Sequence, residues 1–329
     1  MKRLKYYSVF YGNMGKSSLD VKDLRILAEL DFNARISENK LAKKIGLSKD
    51  TVRYRTKNLE KQGIIKKYFI VPNTPQLGLI SVKVMIKYLK TNQEIEETFL
   101  SYLQRKKEVG WLVETDGAFD LVFIVWVKTI SEFEKFYNEF LDKFNEYFFE
   151  RKIVILTENH ACNKKYLMEE KEVKEVFYKG ENVCTVDKSD LEIIEILKEN
   201  ARIGTVELSK LIGLTPETAS YRIKRLIKKN TIQAFRAMID LEKIGYSYYN
   251  VLLKLKTTYS IPKIFAFCKE HKNITYFTKY VGEYDMGIDL EVRNPTEFRS
   301  LIKEIRQKFG ESLLTYDYVH IYKELKISY

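Results

Sequence analysis

Basic side chains are concentrated in two windows of the 329-residue sequence, where their chemistry suits phosphate binding. Residues 43–67 contain nine Lys or Arg against two acidic residues, a net charge of +7, and residues 210–234 contain six against one, a net charge of +5. The two windows together carry +12, which equals the net charge of the whole chain. An excess confined to two short windows predicts a double-stranded DNA partner, since a merely solvated surface would spread its charge.

The two windows are corresponding parts of an internal repeat. Residues 20–78 align without a gap with residues 187–245, and 22 of the 59 positions are identical. Further on, GAFD at 117–120 corresponds to GEYD at 282–285 with a slightly shorter offset. A solenoid repeat has a period of about 20 to 50 residues, so this much longer period indicates the tandem duplication of a two-domain unit.

The first part of each unit has the pattern of a helix-turn-helix. In copy one the second helix is interrupted at Gly46, and Ser48 can cap a third helix. Copy two repeats both devices at the matching positions. A short apolar strand follows each third helix, at 64–71 and 232–239, and indicates a small wing. This order of elements is typical of DNA-reading domains.

The predicted DNA contacts lie on each third helix and, in copy one, also in the strand after it. Val52, Thr56 and Leu59 form an apolar inward stripe in copy one, and a matching stripe recurs in copy two, so the other positions of the helix are left for DNA. The predicted contacts of copy one are Lys49, Asp50, Arg53, Tyr54, Arg55, Lys57, Lys66 and Lys67. The predicted contacts of copy two are Pro216, Glu217, Ser220, Tyr221, Arg222, Lys224, Arg225 and Lys228. Arg55 and Arg222 border the stripe, so each can either contact phosphate or brace the helix.

The second part of each unit changes to strand periodicity. The pattern predicts a strand at 80–88, a helix at about 93–106, strands at about 109–116 and 119–127, a helix capped by Ser131 with Glu134, and a strand at about 149–157. Copy two follows the same order over 246–324. This is the ferredoxin-like βαββαβ arrangement, whose sheet has helices on one face only. We expect the second sheet of the same chain to cover the other face.

The predicted fold class is α+β, with two winged helix-turn-helix domains alternating with two ferredoxin-like domains. The predicted boundaries are an N-terminal extension at 1–18, a helix-turn-helix domain at 19–78, a ferredoxin-like domain at 79–158, a charged linker at 159–186, a second helix-turn-helix domain at 187–245 and a second ferredoxin-like domain at 246–329. The extension is basic and aromatic and reads as a tail or an added strand.

Composition argues against several other classes of protein. The sequence contains no run of about 18 apolar residues, so no membrane partner is predicted. Three scattered cysteines are too few for a disulfide framework or a zinc knuckle and favour a reducing, cytoplasmic location. Three histidines lie far apart without ligand spacing, so neither a metal nor a cofactor is predicted.

This succession of motifs resembles the Lrp/AsnC (feast/famine) transcriptional regulators. The resemblance rests on the NARI box, the GLS or GLT turn, the Tyr-Arg pair of the third helix and the GxxD between two strands, and it covers 20–324 as two units. It implies pairing through the ferredoxin-like domains. Because two units are fused here, we expect an intramolecular pseudo-dimer, with assembly into a higher homo-oligomer left open.

The resemblance also implies a small-molecule effector, often an amino acid, bound near the loops where the ferredoxin-like domains meet. On that basis the effector-binding residues are Gly117, Asp120, Gly282 and Asp285. Turn chemistry offers an equally good alternative, in which Gly and Asp only form the turn between two strands.

Two alternatives to a DNA-binding regulator remain. Siroheme decarboxylases have a similar arrangement of domains, so the fold by itself does not exclude an enzyme. Such an enzyme would need His and Arg gathered around an acidic tetrapyrrole, whereas the basic residues here crowd the third helices. A sensor that has lost DNA binding is the other alternative, and the doubled basic windows argue against it. We therefore expect a regulator and not an enzyme.

Overall fold

The computed structural model describes residues 19–168, 175–179 and 183–327. The first unit contains α1 (Val21–Phe32), α2 (Glu38–Ile45), α3 (Lys49–Lys61), β1 (Ile65–Pro72), β2 (Ile80–Tyr88), α4 (Gln93–Arg105), β3 (Val109–Gly117), β4 (Leu121–Val127), α5 (Ile130–Phe144) and β5 (Phe148–Cys162). Strand β6 (Glu175–Lys179) follows. The second unit contains α6 (Lys188–Glu199), α7 (Thr205–Leu211), α8 (Pro216–Lys228), β7 (Ile232–Ile239), β8 (Ser247–Leu255), α9 (Ile261–Glu270), β9 (Ile274–Gly282), β10 (Met286–Val292), α10 (Pro295–Phe309) and β11 (Leu313–Ile327).

The helix-turn-helix elements begin and end at the residues that the sequence indicated. The Ser48 hydroxyl accepts a hydrogen bond from the Thr51 amide, and Thr215 accepts one from the Thr218 amide, so both third helices are capped as predicted. Gly46 ends α2 with φ of +70°, a conformation that favours glycine.

The strands that follow the third helices pair with each other. β1 and β7 form an antiparallel two-stranded ribbon in which Phe69 lies opposite Arg236. Ala237 and Ile239 of the second copy pack into the core of the first helix-turn-helix domain, while Ile70 of the first copy packs into the core of the second. A strand was predicted at each position, but its pairing across the copies was not. The two domains are therefore interlocked.

The two ferredoxin-like sheets form one closed barrel. The strand order is β2-β4-β3-β11-β8-β10-β9-β5, and β5 pairs again with β2. The copies are joined at two antiparallel ladders, β3 with β11 and β5 with β9. Within the part of the chain that the structure describes, these eight strands leave no open edge.

The two faces of the closed sheet are buried differently. Outside, the helices of each copy pack on its own strands, for example on Phe123 in the first copy and Ile288 in the second. Inside, apolar side chains from both copies meet at one end of the lumen; they include Met85, Val113, Val122, Val154, Leu252 and Val319. The predicted packing of one sheet against the other is confirmed. The prediction did not include the pairing of the sheet edges, β3 with β11 and β5 with β9.

One helix start differs from the prediction. α5 begins at Ile130 and is capped by Thr129, whose hydroxyl accepts a hydrogen bond from the Glu132 amide at 3.1 Å. The predicted capping box at Ser131 with Glu134 is wrong because Thr129 has the extended backbone that a cap requires, whereas Ser131 already lies inside the helix.

The predicted linker at 159–186 is in part a regular element. β5 continues through Cys162, and β6 pairs with its last five residues, 158–162. The hydrogen bonds of this ladder explain why the strand runs beyond the predicted domain end. The predicted extension at 1–18 lies outside the described residues. In the described ranges, no helix combines the length and the apolar character needed to cross a bilayer.

Gly282→Ala tests the ladder that joins β5 to β9. Gly282 has φ of +139°, and a Cβ there would lie 2.6 Å from the Ile153 carbonyl oxygen. We expect Gly282→Ala to lower the free energy of unfolding by at least about 2 kcal/mol in urea denaturation, because backbone strain and a steric clash coincide. Gly204→Ala is the control, since its φ is −66° and its Cβ would meet nothing within 4 Å. Equal losses in both variants would contradict the prediction.

Candidate nucleic-acid interface

The two third helices, α3 and α8, each turn a polar surface outward. Val52, Thr56 and Leu59 are buried in copy one, as are Ala219, Ile223 and Leu226 in copy two. This inward stripe matches the predicted one in both copies. The remaining positions of each helix are left for a partner outside the domain, and the positive charge concentrates there.

Several of the predicted contact residues are exposed and unengaged. Tyr54 and Tyr221 occupy the same position in the two helices and are 72% and 64% exposed. Within the described residues, no hydrogen bond or ion pair engages the side chains of these two tyrosines or of Lys57, Lys224 and Lys228. Long basic and phenolic side chains in this state suit contacts with phosphates and base edges.

Arg53 is held by the preceding helix. Its guanidinium donates three hydrogen bonds to the Glu38 carboxylate at the start of α2, at 3.0, 3.1 and 2.7 Å, and Asp50 lies 3.6 Å away. The Arg53 guanidinium holds the pKa of the Glu38 carboxyl below its usual value. Lys49 also approaches Glu38, at 4.0 Å. The first turn of α3 therefore carries a fixed charged cluster, whereas Pro216, Glu217 and Ser220 of α8 form no such cluster with any residue that the structure describes.

Two predicted DNA contacts, Arg55 and Arg222, form ion pairs within their own domains. Arg55 binds Asp20 at 2.8 Å and Asp23 at 2.9 Å, both at the capped start of α1. Arg222 binds the equivalent aspartates of copy two, Asp187 at 2.7 Å and Asp190 at 2.9 Å. The Arg222 guanidinium holds the pKa of the Asp187 carboxyl below its usual value. Of the two roles left open for Arg55 and Arg222, the structure therefore shows bracing.

Arg225, another predicted DNA contact, also forms an ion pair within its domain. Its guanidinium is paired with Asp190, whose side chain is fully buried, so the Arg225 charge is drawn toward the domain interior. The apolar stripe alone could not reveal this, because the acidic partner comes from another helix.

The two lysines after α3 are separated by the structure. Lys66 is half-exposed and pairs with Asp240 at 3.1 Å. Lys67 points toward the junction of the copies, where it binds Glu199 at 3.1 Å and the Ile327 carbonyl at 3.1 Å. Lys67 was predicted to contact DNA; because its ammonium group is turned toward partners supplied by the second copy, we expect it to make no phosphate contact.

The NARI box joins the two helix-turn-helix domains. The Arg35 side chain donates to the Ala201 carbonyl at 2.6 Å, and the Arg202 side chain donates to the Ala34 carbonyl at 2.7 Å. Arg35 also lies over the Phe235 ring, with its guanidinium carbon 4.7 Å from the ring centre. Sequence reasoning missed this role. One signal was available in the sequence: Arg35 and Arg202 are identical at equivalent positions, although they lie outside the apolar stripes and outside the third helices.

The four predicted effector residues have structural roles in the turns. A Cβ on Gly117 would lie 2.6 Å from the Tyr318 carbonyl oxygen, because β11 of the other copy crosses there. The Asp120 carboxylate accepts hydrogen bonds from the Tyr88 amide at 2.8 Å and the Lys87 ammonium at 2.6 Å. Gly282 and Asp285 repeat this arrangement, with Asp285 accepting from the Leu255 amide at 2.7 Å. These contacts match the turn alternative.

A cavity of about 180 Å³ lies between the barrel lumen and the β1–β7 ribbon. Lys83, Trp126 and Asp289 line it from the barrel, while Phe69 and Met238 line it from the ribbon. The sequence analysis indicated neither this cavity nor these residues, because the lining is assembled from strands of both copies. We call this space the lumen cavity.

Two interlocked helix-turn-helix domains on a closed ferredoxin-like barrel define a DNA-binding regulator built as a dimer in one chain. The family described as winged helix-turn-helix DNA-binding matches residues 19–66 and 186–233. The chain is 37% identical over 121 residues to the HTH-type transcriptional regulator Ptr1 of Methanocaldococcus jannaschii, covering 37% of this chain and 80% of Ptr1. It is 36% identical over 122 residues to the proline dehydrogenase transcriptional activator of Rhodobacter capsulatus, covering 37% and 79%.

The chain belongs to the Lrp/AsnC family of HTH-type transcriptional regulators. The relatives match over a length close to one unit, so the duplication sets this chain apart from them. Among solved structures, the siroheme decarboxylase NirDL superposes over 94% of both chains with a TM-score of 0.63 and 14% identity. At that identity the match shows a shared fold.

Removing Lys57 and Lys224 tests the geometry of the DNA surface. We expect the double variant Lys57→Ala, Lys224→Ala to bind all DNA sequences more weakly, because two phosphate contacts are lost. The slope of log affinity against log salt should flatten by about 1.8 units, at about 0.9 per contact. Fluorescence anisotropy titrations over a range of salt concentrations measure it. Lys67→Ala is the matched control and should leave the slope unchanged; a flattened slope there would contradict the surface assigned here.

Proposed function

We propose that this regulator binds operators made of two unequal half-sites, with each third helix of the one chain reading its own half. The observation that supports this is the difference between the first turns of α3 and α8. Lys49, Asp50 and Arg53 in the first helix correspond to Pro216, Glu217 and Ser220 in the second. Base recognition by a helix-turn-helix is concentrated at this end of the recognition helix.

The joined domains support simultaneous reading. The β1–β7 ribbon and the reciprocal bonds of Arg35 and Arg202 hold the two helix-turn-helix domains in one arrangement. A chain with this arrangement presents both readers to the same duplex without association of two molecules. Its operator should therefore have a set half-site spacing and an imperfect palindrome. Assembly of the chain into a higher homo-oligomer stays a prediction.

The lumen cavity gives little support to an enzyme of the siroheme decarboxylase type. Its lining contains three cationic residues, Lys83, Lys164 and Arg236, and five carboxylates, which are those of Asp31, Glu158, Asp289, Glu291 and Glu324. This net negative charge opposes an acidic tetrapyrrole. The three histidines also lie apart: His160 stacks on Phe277, His271 faces Glu304 and His320 faces Asp116.

Control by an amino acid bound near the Gly117 and Gly282 turns stays a prediction based on the family. The common amino acids, screened by thermal shift with the full chain, are expected to include at least one that raises the melting temperature and changes DNA affinity. If none of them moves the transition, amino acids are removed as the effector class. DNA binding itself would be unaffected by that result.

Exchanging the first turns tests the two-reader proposal. The triple variant Pro216→Lys, Glu217→Asp, Ser220→Arg gives α8 the reading residues of α3, and the reciprocal variant Lys49→Pro, Asp50→Glu, Arg53→Ser does the reverse. Selection of binding sites from random DNA should give an asymmetric consensus for the wild type and two different, nearly symmetric consensus sites for the variants. A symmetric wild-type site, or one unchanged in both variants, would refute the proposal.

A further inference from the structure

The lumen cavity is large enough to hold a ligand and lies in contact with both halves of the molecule. A single buried water needs about 10 to 15 Å³ of such space, and this cavity has about 180 Å³. The barrel supplies one side of its lining, and Phe69, Pro72 and Met238 of the ribbon supply the other. A molecule bound there would touch the element that joins the two DNA-binding domains.

The two copies line the cavity with opposite chemistry. On β4 of the first copy, Ile124 and Trp126 face the cavity, and the equivalent positions on β10 of the second copy are Asp289 and Glu291. One wall is therefore apolar and aromatic, and the other is acidic. A homodimer would place identical residues on both walls, so this asymmetry is possible only because the copies are encoded separately.

The Trp126 ring packs directly against the backbone of Gly110. A Cβ on Gly110 would lie 2.4 Å from this ring, so the absence of a side chain at Gly110 lets the indole lie against β3. Trp111 of the same strand also lines the cavity, and its indole N–H donates to the Glu324 carboxylate at 3.2 Å. Indole rings are the best side-chain partners for organic cations.

The acidic wall has unused capacity to accept a hydrogen bond. Asp289 is only 8% exposed, and both of its hydrogen bonds, from Tyr248 and from the Asn250 amide, end on Oδ1. Within the described residues Oδ2 has no partner, and Asp289 lines the cavity. Burial raises the pKa of the Asp289 carboxyl to about 6, so the group is ionised at neutral pH and a cation there would be favoured.

The cations that line the cavity are largely engaged elsewhere. Lys164 pairs with Glu291, and Arg236 pairs with Asp31 at 2.9 Å. Lys83 is 3% exposed and donates to Asn250 at 3.0 Å and to the Tyr280 hydroxyl at 3.1 Å. Glu158 lies 3.0 Å from the His160 ring, whereas Asp289 and Glu324 have no ion pair within the described residues. With Glu291 and Asp31 matched, the remaining carboxylates outnumber Lys83, so the cavity retains negative charge.

We propose that the lumen cavity binds a compact organic cation, such as a primary amine on an apolar or aromatic body, and that its occupancy changes DNA binding through the β1–β7 ribbon. The ammonium group donates to Asp289 Oδ2, and the apolar body lies against Ile124 and Trp126. This site is distinct from the turns at Gly117 and Gly282. The regulatory half of the proposal rests on the chain acting as a DNA-binding regulator, whereas the binding half does not.

The protein carries its own probe for the test. Its two tryptophans, Trp111 and Trp126, both line the cavity, so intrinsic fluorescence of the full chain reports on occupancy. Phenethylamine and cyclohexylamine are titrated against 3-phenylpropionate, which has a similar body and the opposite charge. We expect a saturable change with the amines and none with the acid at equal concentration. No saturable change with either amine, or an equal response to the acid, overturns the proposal.

Variants assign the signal to the cavity. Asp289→Asn should weaken phenethylamine binding at least tenfold. Glu311→Gln is the control and should leave binding unchanged, because Glu311 is exposed and does not line the cavity. Ile124→Phe fills the apolar wall and should also abolish binding, which keeps the test decisive if Asp289→Asn does not fold. Circular dichroism checks the folding of each variant. Undiminished binding in folded Asp289→Asn and Ile124→Phe proteins overturns the site.

DNA binding is measured separately so that the two halves can fail independently. Saturating phenethylamine should change the affinity for a selected operator at least threefold in the wild type and leave Asp289→Asn unchanged. Amine binding without any change in DNA affinity overturns the coupling through the ribbon. Failure of the chain to bind DNA under any condition would instead refute the function proposed above.

Discussion

The structure depends on satisfying the edges of two small β-sheets. A four-stranded ferredoxin-like sheet alone has two edges of unpaired backbone N–H and C=O groups and one uncovered face. The ladders β3–β11 and β5–β9 remove all four edges at once by closing a barrel. Both ladders join one copy to the other, so neither copy can complete its sheet alone. Pairing of two copies is therefore a structural requirement, and the duplication meets it within one chain.

Closure of the barrel also explains which residues are the same in the two copies. Gly117 and Gly282 have no side chain because a strand of the other copy crosses directly over each of them. Asp120 and Asp285 hold the turns that present those glycines. Arg35 and Arg202 repeat the same exchange between the DNA-binding domains. Each of these pairs makes the same contact twice, once from each copy, because the two copies are related by an approximate two-fold axis.

Two groups of positions that differ lie away from the ladders that join the copies. The first turns of α3 and α8 face outward, and the walls of the lumen cavity face inward, away from the ladders. In a homodimer any change at such a position would appear twice. A fused chain can change one copy alone, as at Ile124 and Asp289 or at Arg53 and Ser220. The two third helices can therefore differ in the DNA bases they contact, and the two walls of the lumen cavity can differ in the ligand groups they bind.

Local signals predicted much of the fold. Helix caps at Ser48 and Thr215, glycine breaks and the change from helical to strand periodicity act over a few residues, and the structure agrees with them. The helix start at Ser131 was wrong because two nearby hydroxyl residues offered a cap and only the backbone conformation selects Thr129. The candidate contacts were less predictable, since Lys67 and Arg225 have partners more than 30 residues away.

The sequence by itself determined that the chain has two copies of a helix-turn-helix and a ferredoxin-like domain, because repetition, charge and periodicity are written in residue order. Only the tertiary structure decided that β1 pairs with β7, that Arg55 and Arg222 brace their domains, and that a cavity with one apolar and one acidic wall lies beneath the ribbon. These features join residues that are far apart in the chain. Their partners are chosen by the closed barrel and not by local preference.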